Sequence, residues 1–183
     1  MPCHGMTTQR QWSLVAGTVM TLTFVVALAM KVRPQIDLIG AGSRAPDFQA
    51  VNLRTTRPAS LADYTGKVIL LNIWATWCDP CRLEMPSMEK LSERMAGADF
   101  RVVAVSVDKD GPDVVMKFVN DLGLHFDILH DRSGAIQGTL QTTGVPESFV
   151  LDRSGVIIKK VIGAERWDSP VNETLIRHLL DAR

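Results

Sequence analysis

The stretch KVILLNIWA (67–75) runs directly into TWCDPCRLEMP (76–86), and this junction limits the possible folds more than any other part of the chain. Its first half is an almost unbroken aliphatic run, the pattern of an inner strand covered on both faces. Its second half places Pro80 and two cysteines, Cys78 and Cys81, just past the point where the apolar run stops. Proline costs nothing in the first turn of a helix, because the missing N–H has no partner there anyway. The junction therefore predicts a buried strand ending near 75 and a helix starting near 79, with Cys78 at its mouth.

The rest of the chain alternates in the same way. RVVAVSVD (101–108) is a second aliphatic strand, and helices are predicted over 79–96 and 112–122. Shorter strands are predicted at 48–53 and 126–129, with a turn-rich stretch up to Gly66 and a short helix or turn at 134–140. Two further strands, 147–151 and 156–162, are joined by the turn Asp-Arg-Ser-Gly, and a last helix covers 169–182. This order gives an α/β fold with a central mixed β-sheet flanked by helices.

Residues 11–30 form twenty consecutive positions without a charge, preceded by Arg10 and followed by Lys31 and Arg33. As a helix at ~1.5 Å per residue the run reaches about 30 Å, the thickness of a bilayer core. It has no polar face, so an N-terminal transmembrane helix is expected in preference to a buried core helix. Ala27-Leu28-Ala29 also suits a signal-peptide cleavage site, but the run exceeds the ~7–15 apolar residues of a signal core, so a retained anchor is expected. The predicted organisation is a tail (1–10), an anchor (11–30), a linker (31–43) and a folded domain (44–183). Basic residues on both sides leave the orientation of the anchor open.

Lysine plus arginine and aspartate plus glutamate each number 20, and no basic stretch stands out. Nucleic acid is therefore not expected as a partner. Three cysteines cannot build a disulfide framework, and Cys3 lies far from the pair.

A Cys-x-x-Cys pair can hold a metal, staple the chain or act as a redox switch. A structural zinc site needs four ligands, yet there is no second pair, and His125 and His130 have no ligand spacing. A four-residue ring removes little chain entropy, which argues against a staple. A helix N-terminus, by contrast, carries partial positive charge and unpaired N–H groups that favour a thiolate. Cys78 is then the attacking thiolate, and Cys81, one turn further in, the resolving thiol. Two other classes stay open: a copper-binding metallochaperone using both sulfurs, and a thiol peroxidase using Cys78.

NIWATWCDPCRLEMP (72–86), GVPESFVLD (144–152) and GAERWDSPVNETLIRHLL (163–180) together resemble the TlpA/ResA/CcmG-like, membrane-anchored branch of the thioredoxin family, TlpA-like proteins in particular. The resemblance covers nearly all of 44–183. It implies a thioredoxin-like fold, no cofactor and no metal, a Cys78–Cys81 redox-active disulfide, and Pro146 as the cis-proline facing it. Trp77, Asp79, Pro80, Val145 and Glu147 would line the substrate groove, while Trp74 packs in the core. The domain would sit on the periplasmic or outer face of a bacterial inner membrane. There it would act as a protein-disulfide reductase in cytochrome c maturation or oxidase copper-site assembly. Its partners would be apocytochrome c or copper-site proteins, and its electrons would come from a membrane thiol transporter of the DsbD/CcdA kind.

One departure from cytoplasmic thioredoxins bears on mechanism. Their buried aspartate, six residues before the first cysteine, is Asn72 here, which cannot transfer a proton. Glu84 lies three residues after Cys81, one helical turn on and on the same face. Membrane-anchored relatives carry a glutamate there, and a carboxyl in an apolar pocket has a raised pKa suited to exchanging protons with Cys81. Between the cysteines stand Asp79 and Pro80, with no histidine or lysine. A negative charge beside Cys78 opposes the thiolate and so favours the disulfide, which predicts a reductant. Met85, Met88, Leu91 and Met95 read as a core stripe, and DKDGPD (108–113) reads as a helix cap.

Overall fold

The computed structural model describes residues 8–31 and 38–182, which belong to two separate units divided at 37/38. The first contains helix α1 (Thr8–Lys31), which carries the uncharged run. Its described side chains, 12–28, are all exposed, and Thr18, Thr21 and Thr23 turn their hydroxyls back onto carbonyls of the preceding turn. Among the described residues no helix is long and apolar enough to cross a membrane, so the expected anchor is not shown by the structure. Cys3 and the linker residues 32–37 lie outside the described residues.

The second unit is built on a seven-stranded mixed sheet with helices beside it, as expected. Its strands are β1 (Gln49–Asn52), β2 (Arg57–Ser60), β3 (Val68–Trp74), β4 (Phe100–Ser106), β5 (Asp127–His130), β6 (Glu147–Leu151) and β7 (Ile157–Ile162), in the spatial order β2-β1-β5-β4-β3-β6-β7. β3, β4 and β5 run parallel, and the remaining pairings are antiparallel. The helices are α2 (Asp79–Arg94), α3 (Pro112–Asp121), α4 (Ala135–Thr139) and α5 (Pro170–Asp181). Every residue of β3 is buried, which explains its continuous aliphatic reading. Met85, Met88 and Leu91 bury one face of α2, and Met95 packs just past its end.

Two local readings need correction. The turn-rich stretch 53–66 contains β2 and a short 3-10 helix (Leu61–Tyr64). Pro58 hid the strand, because proline cannot donate to a ladder; β2 tolerates it as an outermost strand. Residues 38–43, assigned to the linker for their glycines and serine, pack with this unit. Gly42 N–H donates to Ile157 O, and Ile157 N–H donates to Ser43 O.

The parallel arrangement brings the C-terminal ends of β3, β4 and β5 to one end of the sheet. Ile73 pairs with Glu147, so the antiparallel β6 begins at that same end. The segment 75–78, the residue pair 107–108 and the loop before β6 therefore meet there.

Candidate active site

Cys78 is the N-cap residue of α2, and Pro80 stands in the first turn as expected. In this structure Cys78 and Cys81 are joined by a disulfide with Cα atoms 5.3 Å apart. The Cys81 N–H donates to Cys78 Sγ at 3.2 Å, so a free helix-terminal donor already points at the first sulfur. Cys78 is 5% exposed and Cys81 fully enclosed, which leaves Cys78 as the sulfur that an incoming group can reach. Asp79 and Pro80 are exposed beside it. Trp77 projects into solvent at 68% exposure, whereas Trp74 is fully buried against Phe118. Arg82, the cation nearest in sequence, lies with its guanidinium 4.4 Å from the centre of the Phe118 ring, an attraction to the ring face that holds it toward α3.

The Val145–Pro146 peptide bond is cis. Pro146 is buried and Val145 half-buried, and the Pro146 carbonyl accepts from Gly163 N–H at 2.9 Å. Glu147 departs from its expected place in the groove. It is fully buried in β6, its Oε1 2.8 Å from Lys160 Nζ. Its Oε2 accepts from Thr143 N–H at 2.9 Å. The side chain alternates to the inner face of the strand and braces the loop from within instead of meeting a partner.

Glu84 is 2% exposed. Its Oε1 accepts from Asn72 Nδ2 at 2.7 Å, and its Oε2 accepts from Glu165 N–H at 3.2 Å. The same Asn72 amide group donates to Ser148 Oγ at 2.9 Å. Burial pushes the Glu84 carboxyl up to about 7, with the Glu165 N–H and the Asn72 amide pulling in the opposite direction. A carboxyl that titrates near neutral pH can both take and return a proton under working conditions. In the disulfide-bonded state no hydrogen bond joins it to Cys81 among the described residues.

The segment 163–168 lies over this carboxylate as a strap. Gly163 leaves β7 with φ 89°, a conformation that suits glycine. Glu165 N–H then reaches Glu84, and Trp167 N–H donates to Ser87 Oγ at 3.0 Å. Ser87 Oγ itself donates to the Glu84 carbonyl at 2.6 Å. Between strap and helix opens a cleft of about 320 Å³ lined by Leu83, Glu84, Ser87, Ala164, Glu165 and Arg166. Nothing in the spacing of GAERWD announces this role, because two of the strap's contacts to α2 are made by backbone N–H groups, which any residue carries.

DKDGPD does not cap a helix through a side chain: Gly111 is the N-cap of α3 and makes no such bond. Asp108 instead turns inward and is fully buried. Among the described residues no cluster of His, Cys, Asp and Glu is arranged to hold a metal ion. His125 contacts Glu89, and His130 donates to the Asp108 carbonyl.

The family model described as Redoxin matches residues 40–176. The chain is 35% identical over 125 residues to the thiol-disulfide oxidoreductase ResA of Bacillus anthracis, covering 68% of this chain and 70% of that protein. It is 43% identical over 122 residues to the thioredoxin-like protein YneN of Bacillus subtilis, covering 65% and 69%. A solved structure from Chlorobium tepidum, described as a thiol:disulfide interchange protein DsbE, superposes with a TM-score of 0.70 at 32% identity. That match covers 78% of this chain and 99% of the other.

Proposed function

The chain belongs to the Redoxin family, and from that premise we propose that it is a membrane-anchored reductant of disulfides in extracytoplasmic proteins. Its fold is thioredoxin-like, and it is a thiol-disulfide oxidoreductase. The observation that carries the reading is the Cys78–Cys81 disulfide at the α2 N-terminus, with Cys78 the slightly exposed member of the pair and Cys81 fully enclosed.

The chemistry runs as two exchanges. In the dithiol form the Cys78 thiolate attacks one sulfur of a partner disulfide, giving a mixed disulfide and a partner thiolate. Glu84 takes the proton of Cys81, whose thiolate attacks Cys78 Sγ. The Cys78–Cys81 disulfide forms and the partner leaves as two thiolates, having gained two electrons; they take up protons from Glu84 and from water. Pro146, Val145 and the exposed Trp77, Asp79 and Pro80 form the surface against which the partner chain lies.

Asp79 supports the reducing direction. It is exposed next to Cys78, and Arg82, which would oppose it, is held at Phe118. Attachment through residues 11–30 rests on their uncharged length, and the similarity to ResA and DsbE supports the proposal of the periplasmic side. Apocytochrome c or copper-site proteins as partners, and a membrane thiol transporter of the DsbD/CcdA kind as electron source, are proposed on the resemblance of its motifs to TlpA/ResA/CcmG-like proteins.

Trapping tests the reading. A Cys81→Ser variant expressed in cells should accumulate as a mixed disulfide through Cys78, and the captured partner names the pathway. Behaviour like the unmodified protein, with no disulfide-linked partner, would overturn it. A measured potential near about −120 mV, that of a strong oxidant, would overturn the direction alone.

A further inference from the structure

Asp108 is a fully buried carboxylate that the exchange chemistry leaves without a task. Its two oxygens accept from Thr76 N–H at 3.2 and 3.0 Å, from Thr76 Oγ1 at 2.7 Å and from Ser106 Oγ at 2.7 Å. Its carbonyl accepts from His130 Nε2 at 2.9 Å. Two neighbouring backbone bonds, Val107 N–H to Trp74 O and Asp131 N–H to Ser106 O, close the same corner. The carboxylate thus ties the ends of β3 and β4, while its own carbonyl is held from β5.

The residue it grips stands two before Cys78. Ala75, Thr76 and Trp77 carry the chain from the buried strand to the helix mouth, and the Cys78 N–H returns to the Ala75 carbonyl at 3.2 Å. An acceptor-only group that takes both the N–H and the hydroxyl of Thr76 fixes that residue at two points. A carboxylate out of water persists when its lone pairs are filled, and three donor groups fill them here.

We propose that Asp108 is a positioning residue for disulfide exchange: through Thr76 it holds the 75–77 segment so that Cys78 Sγ stays at the N-terminus of α2 when the disulfide opens. The thiolate is stabilised only while it faces the helix N–H groups, so a loosened segment leaves a less acidic and slower Cys78. The proposal rests on Cys78 being the attacking thiol. The charged and titratable groups around this corner are Asp79 and Arg82 on α2, Asp108 and Lys109 after β4, and His130 and Asp131 at the end of β5. Lys109 is occupied by the Arg132 and Ser133 carbonyls, and Arg82 by Phe118.

The experiment follows alkylation of Cys78 against pH, together with exchange with a peptide disulfide, in the reduced full chain and two variants. Thr76→Val removes the hydroxyl bond but keeps the Asp108 charge; Asp108→Asn keeps the shape and removes the charge. Removing a nearby negative charge would by itself make Cys78 more acidic, so the valine variant separates positioning from simple electrostatics. The expected result is a Cys78 alkylation midpoint moved to higher pH in Thr76→Val, with exchange slower by about tenfold. Asp108→Asn should exchange more slowly as well. A folded Thr76→Val variant with an unmoved midpoint and unchanged exchange overturns the proposal. Should Asp108→Asn fail to fold, the valine variant alone decides. Failure of the underlying reading would look different: the unmodified protein would be alkylated at Cys81 in place of Cys78, and both would fall together.

Discussion

The side-chain amide of Asn72 donates to the Glu84 carboxylate at 2.7 Å, and both groups are buried between β3 and α2. The strand position that holds a proton-exchanging aspartate in cytoplasmic thioredoxins, by the resemblance, thus holds a donor here. The carboxylate reaches the same place from the helix. Asn72 is therefore a support for the acid that replaces it, and its amide acts on the charged form of Glu84.

Asn72→Leu removes one of the donors that stabilise the charged Glu84. Its carboxyl should then titrate higher, moving the Glu84-dependent step of the pH–exchange profile up by about one unit. An unmoved profile, in a variant with native circular dichroism, would separate the amide from the carboxyl's chemistry.

Stability should fall as pH rises through neutrality. The Glu84 carboxyl is raised from 4.5 to about 7 in the folded chain. Between those values the unfolded chain has released this proton and the folded chain still holds it. The stabilising contribution is thus complete below about 4.5 and lost as pH passes about 7, amounting to about 3 kcal/mol in all. Urea unfolding of the oxidised protein at pH 5 and pH 8 measures it, and Glu84→Gln should remove this part of the difference.

Lys160→Met leaves the Glu147 carboxylate buried without its cation and should cost about 3–5 kcal/mol in urea unfolding. Adding Glu147→Gln should restore much of that loss, because the orphaned charge disappears. Equal stability of the single and double variants would mean that the ion pair contributes no coupling.

Ser87→Ala removes the acceptor of Trp167 N–H, one of the bonds that hold the strap to α2. It should destabilise the domain by about 1 kcal/mol and speed hydrogen exchange at the Trp167 amide relative to β3 amides. Unchanged exchange at Trp167 would show that the strap is held by its other contacts.

The redox pair was legible because its evidence is local. A continuous aliphatic strand, Pro80 and the three-residue spacing from Cys78 to Cys81 all act within one strand–helix joint, and β3 and α2 lie where those cues put them. Glu84 was legible for the same reason, one helical turn beyond Cys81. Strand β2 was not, because Arg-Pro-Ala-Ser has neither alternation nor the residues of a covered strand. The segment DKDGPD does contain the N-cap of α3, Gly111, but the inward turn of Asp108 was not legible, because its partner Thr76 lies 32 residues back.

From the sequence alone came the α/β alternation, the helix-mouth cysteines and the position of a nearby carboxyl, since periods of 2 and 3.6 and the chemistry of proline operate over a few residues. Tertiary structure decided which groups those residues meet. The order β5-β4-β3-β6 sets Asn72 against Ser148 and beneath Glu84, brings Asp108 to Thr76, and turns Glu147 inward to Lys160. Hydrogen-bond partners across a sheet depend on which strands become neighbours, and that is set by burial of the whole apolar surface and not by spacing along the chain.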